Sequence, residues 1–211
     1  MHMIKPRPLL LCAILAACGG GGGADDAPPL PTLPRDPALR ALALRADAAP
    51  LTGITLPASG SGTYLGRAEL QMHTTSGGGL RAHQDDHRLT ADSAFTVQFT
   101  GPRRISGELR HFAMPDAPAY EVLGVLSMEG APLVPYRETG LVADLPLSGT
   151  LIYREAGQPA VYRDIDPGGE VNLELRGATG NLVNGTVHAP STTWREGGTT
   201  GNISGRIVAA R

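Results

Sequence analysis

What this 211-residue chain lacks narrows its roles first. Cysteine occurs only at positions 12 and 18. Nothing after residue 18 can therefore form a disulfide within itself, a thiolate metal site or a cysteine nucleophile. Lysine is missing after Lys5, so every later cation is an arginine, and the formal charge is −2. Neither feature supplies the basic field that nucleic-acid binding needs. Aromatic residues are scarce, at 4 % of the chain. The apolar run Leu9–Ala17 is too short to span a bilayer as a mature helix.

That run has a different use. Lys5 and Arg7 precede it as a positive segment, and Leu15-Ala16-Ala17-Cys18 closes it with small residues before a cysteine. This arrangement resembles the bacterial lipoprotein signature. The resemblance implies cleavage before Cys18, diacylglycerol on its thiol and an acyl chain on its new amino group. A membrane is then the first partner. Several buried chains make a durable anchor, since each CH₂ contributes about 0.8 kcal/mol. Gly19 follows Cys18, where the class places an aspartate for inner-membrane retention, so the outer membrane is the expected location. Removing residues 1–17 takes away two cations and no acid, which changes the formal charge from −2 to −4.

Residues 18–60 read as the lipidated cysteine and a flexible tether. Gly19–Gly23 is a polyglycine spacer and 27–37 is rich in proline. Pro37–Ala48 has helix-forming alanine, leucine and arginine, and reads as a weak helix or a docking segment.

From residue 61 to 211 the pattern changes to period two. Apolar and polar residues alternate over Tyr64–Met72, Phe95–Phe99, Ile105–Arg110, Leu147–Arg154, Val171–Arg176, Val183–His188 and Asn202–Ile207, and Glu121–Met128 is a more continuous apolar run. Those are eight strands. Ala160–Ile165 adds room for a ninth. No amphipathic helix interrupts them, which predicts a single all-β, antiparallel, up-and-down barrel domain.

Four of the strands share one local motif: aliphatic, Ser or Asn, Gly, any residue, aliphatic. They are Ile105–Leu109, Leu147–Leu151, Val183–Val187 and Ile203–Ile207. The glycine falls on the apolar face, where it removes volume and lets a strand coil, as a small closed barrel requires. Hairpin turns at Ser-Gly and Asn-Gly are the competing reading; the alternation runs in phase through each glycine and favours mid-strand. The pairing of Phe95–Phe99 with Ile105–Leu109, the opening Tyr64-Leu65-Gly66, the closing Ile203–Ile207 and the lipidated cysteine before polyglycine resemble the barrel domain of transferrin-binding-protein-like surface lipoproteins. The aromatic-Gly-Pro element that often precedes the last strand in that family is missing, as is a companion handle domain. The resemblance implies an eight-stranded barrel and a non-catalytic binding role at a membrane surface.

Candidate chemistry is sparse. His83, Asp85, Asp86 and His87 have metal-ligand side chains, but their Gly-rich surroundings read as a solvated hairpin loop, so no metal or cofactor is expected. His111 and His188 sit near strand ends. Asp164 and Asp166 could pair, yet Asp166-Pro167-Gly168-Gly169 is turn chemistry first. No serine has the strand–turn–helix context of a nucleophile elbow, and no catalytic residue is assigned. Recognition is expected on loops. The segment Glu129–Pro146 is the strongest candidate because it reads as loop yet carries Leu133, Val134, Tyr136, Arg137 and Leu141. The alternatives are that it plugs a barrel mouth or adds a strand. The expected role is a lipid-anchored module that binds a ligand or protein; the alternative is a structural or envelope-assembly lipoprotein.

Overall fold

Period-two alternation over eight segments gives each strand one apolar face, and a sheet with one apolar face buries it most completely by closing on itself. The computed structural model describes residues 34–76, 87–136, 140–188 and 192–211, all within one compact unit. Its elements are α1 (Pro37–Ala48), β1 (Ser61–Ser76), β2 (His87–Gln98), β3 (Arg104–Ala113), β4 (Tyr120–Pro132), β5 (Val134–Tyr136), β6 (Gly140–Glu155), β7 (Val161–Arg176), β8 (Leu182–Val187), β9 (Thr193–Glu196) and β10 (Thr199–Ala210). Strands β1, β2, β3, β4, β6, β7, β8 and β10 pair in chain order, and β10 returns to β1. They close an eight-stranded antiparallel barrel, with β5 and β9 outside the ring.

The eight strands expected from the sequence each correspond to one ring strand. The ninth does not exist as a separate element. Ala160–Ile165 largely forms the start of β7, whose second half is Val171–Arg176. The turn expected at Asp166–Gly169 is a bulge within that strand. Its register runs from Gly149↔Ile165 to Leu147↔Gly169, so β7 has extra residues against β6 there.

The motif glycines lie mid-strand, each opposite a large inward side chain. Gly107 pairs with Phe95, Gly149 with Leu126, Gly185 with Leu173 and Gly205 with Leu70. A Cβ at Gly107 would collide with the Phe95 ring, and one at Gly185 with Leu173. A narrow interior accepts large residues only where the facing strand gives up volume. Gly149 also has φ +143°, a conformation that side-chain-bearing residues rarely adopt. The outward face is charged, with Arg67, Glu69, Arg88, Asp92, Glu108, Glu174 and Arg206 all outside the core, unlike the apolar band of a membrane-spanning barrel.

Part of the segment assigned to the tether is packed. Helix α1 lies on the outside of the barrel, where Leu39, Ala43 and Ala46 are buried against Val208. Asp36 caps its N-terminus by accepting from the Leu39 N–H at 2.9 Å, and Pro37 opens the first turn. Glu69 accepts from the backbone N–H of Asp36 at 3.0 Å, and Arg67 bridges Asp36 (3.1 Å) to Asp92 (2.5 Å). At the other end of α1, Arg206 pairs with Asp47 at 2.5 Å. Both readings of Pro37–Ala48 apply, since the segment is a helix and is docked.

The chain then crosses one barrel end, here called the base. Gly177 N–H donates to Pro50 O at 2.9 Å and Thr55 N–H to Ala178 O at 2.8 Å. Leu56 is buried there, the Tyr64 hydroxyl donates to Gly180 O at 2.5 Å, and the Arg211 guanidinium lies over the Phe99 and Tyr64 rings. The opposite end, the mouth, carries the β3–β4, β6–β7 and β9–β10 connections.

Candidate functional site

The mouth concentrates the buried polar chemistry. It begins with a broken strand. β8 stops at Val187, and β9 resumes the same line after residue 192, since both pair with β7 and β10. Thr192 pins the break. It is fully buried, its hydroxyl accepts from Glu170 N–H at 3.0 Å, and its carbonyl accepts from Ile203 N–H at 2.8 Å. β9 brings Trp194 opposite Ile165 and Gly201. The indole occupies the space a Cβ at Gly201 would need.

Arg163 lies against that indole. The alternation that turns Ile165 inward turns Arg163 inward as well, and it is 1 % exposed. Its guanidinium carbon sits 4.2 Å from the Trp194 ring and 5.0 Å from the Tyr153 ring. Cation–π contacts of this kind contribute about 2 kcal/mol when desolvated. Arg163 Nε donates to Glu196 at 2.7 Å, and the Glu196 side chain is 31 % exposed. That carboxylate offsets a guanidinium charge held out of solvent, as buried charges in proteins require.

The cluster continues across the interior. The Tyr153 hydroxyl and His87 Nε2 are 3.0 Å apart, and the two rings meet edge to face. His87 belongs to β2 and Tyr153 to β6, three strands apart around the ring. Burial pushes the Tyr153 phenol well above its ordinary value, against the opposing pull of Arg163, so it remains neutral. Side chains from β2, β6, β7 and β9 thus form a polar tie across the mouth. The indole N–H of Trp194 is buried and has no hydrogen-bond partner among the described residues.

The segment expected to carry recognition is at the base and is mostly strand. β4 runs to Pro132, β5 adds a short edge, and β6 begins at Gly140. Leu133 and Leu141 are core residues rather than exposed anchors, because Leu141, Ala143, Leu145 and Leu147 alternate inward. Val134 and Tyr136 remain open on β5, 44 % and 39 % exposed. Arg137 lies outside the described residues. So do Cys18 and, of the metal-type cluster, His83, Asp85 and Asp86. His87 is committed to Tyr153. His111 sits at a bulge in β3 with φ +53°, and its Nδ1 lies 2.9 Å from Asp92. Asp164 and Asp166 do not pair with each other: Thr150 bonds the first at 2.6 Å, and Thr193 the second at 2.7 Å.

Sequence reasoning passed over Arg163, Trp194 and Glu196. The signals were the parity of Arg163 with Val161 and Ile165, and the single tryptophan. The chain matches no protein-family model, and a search of the curated proteins finds no match to it.

Proposed function

We propose that this chain is a non-catalytic cell-envelope lipoprotein, held to the outer membrane by lipid on Cys18, whose barrel engages a ligand or protein partner through the loops at its ends. One observation carries the binding part of this reading. The interior is filled by its own side chains, with Trp194, Tyr64, Tyr153 and Phe95 all at most 2 % exposed. A packed barrel recognises through its rims and connections rather than by swallowing a ligand. The resemblance to transferrin-binding-protein-like lipoproteins points the same way, as does the cysteine-polyglycine start. Of the residues first singled out, Val134 and Tyr136 keep the exposure a contact surface needs.

Hydrogen exchange of the purified chain, alone and with outer-membrane extract or growth-medium components, tests the reading. Added protection confined to the connections between ring strands supports a binding module. No added protection anywhere, with the chain instead required for envelope integrity, supports the structural alternative.

A further inference from the structure

An apolar row interrupts the charged outer wall. Outward positions of three neighbouring strands meet in register there: Leu123 on β4 pairs with Ile152 on β6, and Ile152 with Tyr162 on β7. Val125 lies two residues along β4 on the same face. None of the four belongs to the barrel core or to the cluster under α1. Tyr162 is 57 % exposed and Val125 39 %. Polar residues border the row on both sides. Glu121 pairs with Arg154 towards the mouth, and Thr150 with Asp164 towards the base. The Arg154 guanidinium stands 3.9 Å from Glu121, beyond hydrogen-bond length, and both side chains are more than half exposed. At that border the wall dips into a shallow recess of about 510 Å³, with Glu121, Arg154 and Gln158 among its walls. Helix α1 covers β10 and β1, which lie opposite β4 and β6 in the ring.

The row's size and borders select what fits it. It crosses three strands, about 10 Å, and extends one two-residue step, about 7 Å, along β4. A stable protein interface needs about 800 Å² on each side, far more than this. Carboxylates on both borders set it apart from a surface for anionic lipid. The matching shape is a small molecule with an apolar face and a polar rim. A sugar ring has that form, with C–H groups on its faces and hydroxyls round its edge that both donate and accept. We propose that the row is a saccharide-binding site, in which a sugar ring stacks on Tyr162, Ile152 and Leu123. Glu121 and Asp164 accept from its hydroxyls at opposite borders, and Arg154 donates to them. Tyrosine suits the platform, because a rigid ring loses little freedom on contact. The recess beyond Arg154 gives a second sugar unit room. The proposal rests on the reading of the barrel as a binding module, adds a ligand class and sets the site on the wall beside the β6–β7 connection.

The probes are maltotriose and chitotriose, titrated into the detergent-solubilised, ¹⁵N-labelled full chain. Sorbitol is the comparator, since it carries hydroxyls without a ring face. The expected result is a saturable shift, with at least one trisaccharide and not with sorbitol, of the amide cross-peaks of residues 121–125, 150–154 and 160–164. Tyr162→Ala should weaken that response about tenfold or more. Leu65→Ala, at an exposed leucine on β1, should leave it unchanged. Both substitutions are at exposed positions, and circular dichroism checks that each variant folds. Cross-peaks that stay fixed up to about 50 mM of both sugars, or that move equally with sorbitol, overturn the site. So does a response that survives Tyr162→Ala or is lost equally in Leu65→Ala. Shifts confined to other connections also overturn it, and leave the wider binding reading standing.

Discussion

The Tyr153 hydroxyl and His87 Nε2 meet at 3.0 Å across the barrel interior, joining strands on distant parts of the ring. A hydrogen bond there reports directly on whether the mouth is closed. Tyr153→Phe keeps the ring that faces Arg163 and deletes only the hydroxyl. It should cost about 1 kcal/mol in urea unfolding. Arg163→Met removes the guanidinium from between two rings and leaves Glu196 without it. Because Glu196 is partly solvated, the expected cost is about 2 kcal/mol, below the range for a fully buried pair. A loss under 0.5 kcal/mol for Arg163→Met, by the ordinary scale of surface substitutions, would mean that the cluster does not hold the mouth.

The inward glycines give a second prediction. Gly107→Val places two methyl groups against Phe95 and the Ala94 carbonyl, and should cost about 1–3 kcal/mol by overpacking. Thr96→Val, on the outward face of the neighbouring strand, should stay within about 0.5 kcal/mol. Equal effects in denaturant titrations would contradict the assigned facing.

Helix α1 should behave as part of the folded unit. Leu39→Ala removes a fully buried side chain that packs beside Val208, with an expected cost of about 2–3 kcal/mol. Asp36→Ala removes the N-cap, with an expected cost of about 1 kcal/mol. Limited proteolysis at Arg40 and Arg45 should be slow in the native protein and fast in Leu39→Ala. Rapid cleavage in both would mean that the helix is not held on the barrel.

Acid should loosen that same contact. Burial works against ionisation of Asp36, but the Leu39 N–H and Arg67 outweigh it and hold the carboxyl below its ordinary value. Asp92 is lowered first by its hydrogen bond to His111 and then by Arg67, and Asp116 by Arg88. A carboxyl whose folded value is depressed contributes its full stability above the unfolded value, near 3.8, and loses it as pH falls through the folded value. The melting temperature should therefore decline below about pH 4, and Asp36→Asn should flatten part of that decline. An unchanged profile in Asp36→Asn would remove the carboxylate from the account.

The barrel was legible because period two is a strong signal wherever one face is buried, and the glycine motif marked where facing strands needed room. Three features were hidden. Leu141, Ala143 and Leu145 alternate like any other strand, but Pro132, Pro135, Gly140 and Pro146 around them read as breakers; the strands absorb them at an edge and at strand ends. β7 was split by Asp166-Pro167-Gly168-Gly169, because a bulge and a turn use the same residues. The mouth cluster was unreadable because its members lie far apart in sequence, at 87, 153, 163, 194 and 196. Only the closed ring and the broken β8–β9 line bring them together, and an inward arginine runs against the expectation that the inner face is apolar.

Everything said of the protein's role depends on Cys18. Labelled palmitate and membrane fractionation of wild type and Cys18→Ser, expressed side by side, address it most directly. The account predicts a labelled wild-type protein in the outer-membrane fraction and an unlabelled, soluble Cys18→Ser variant. A Cys18→Ser protein that keeps the label and still sediments with membranes would contradict it.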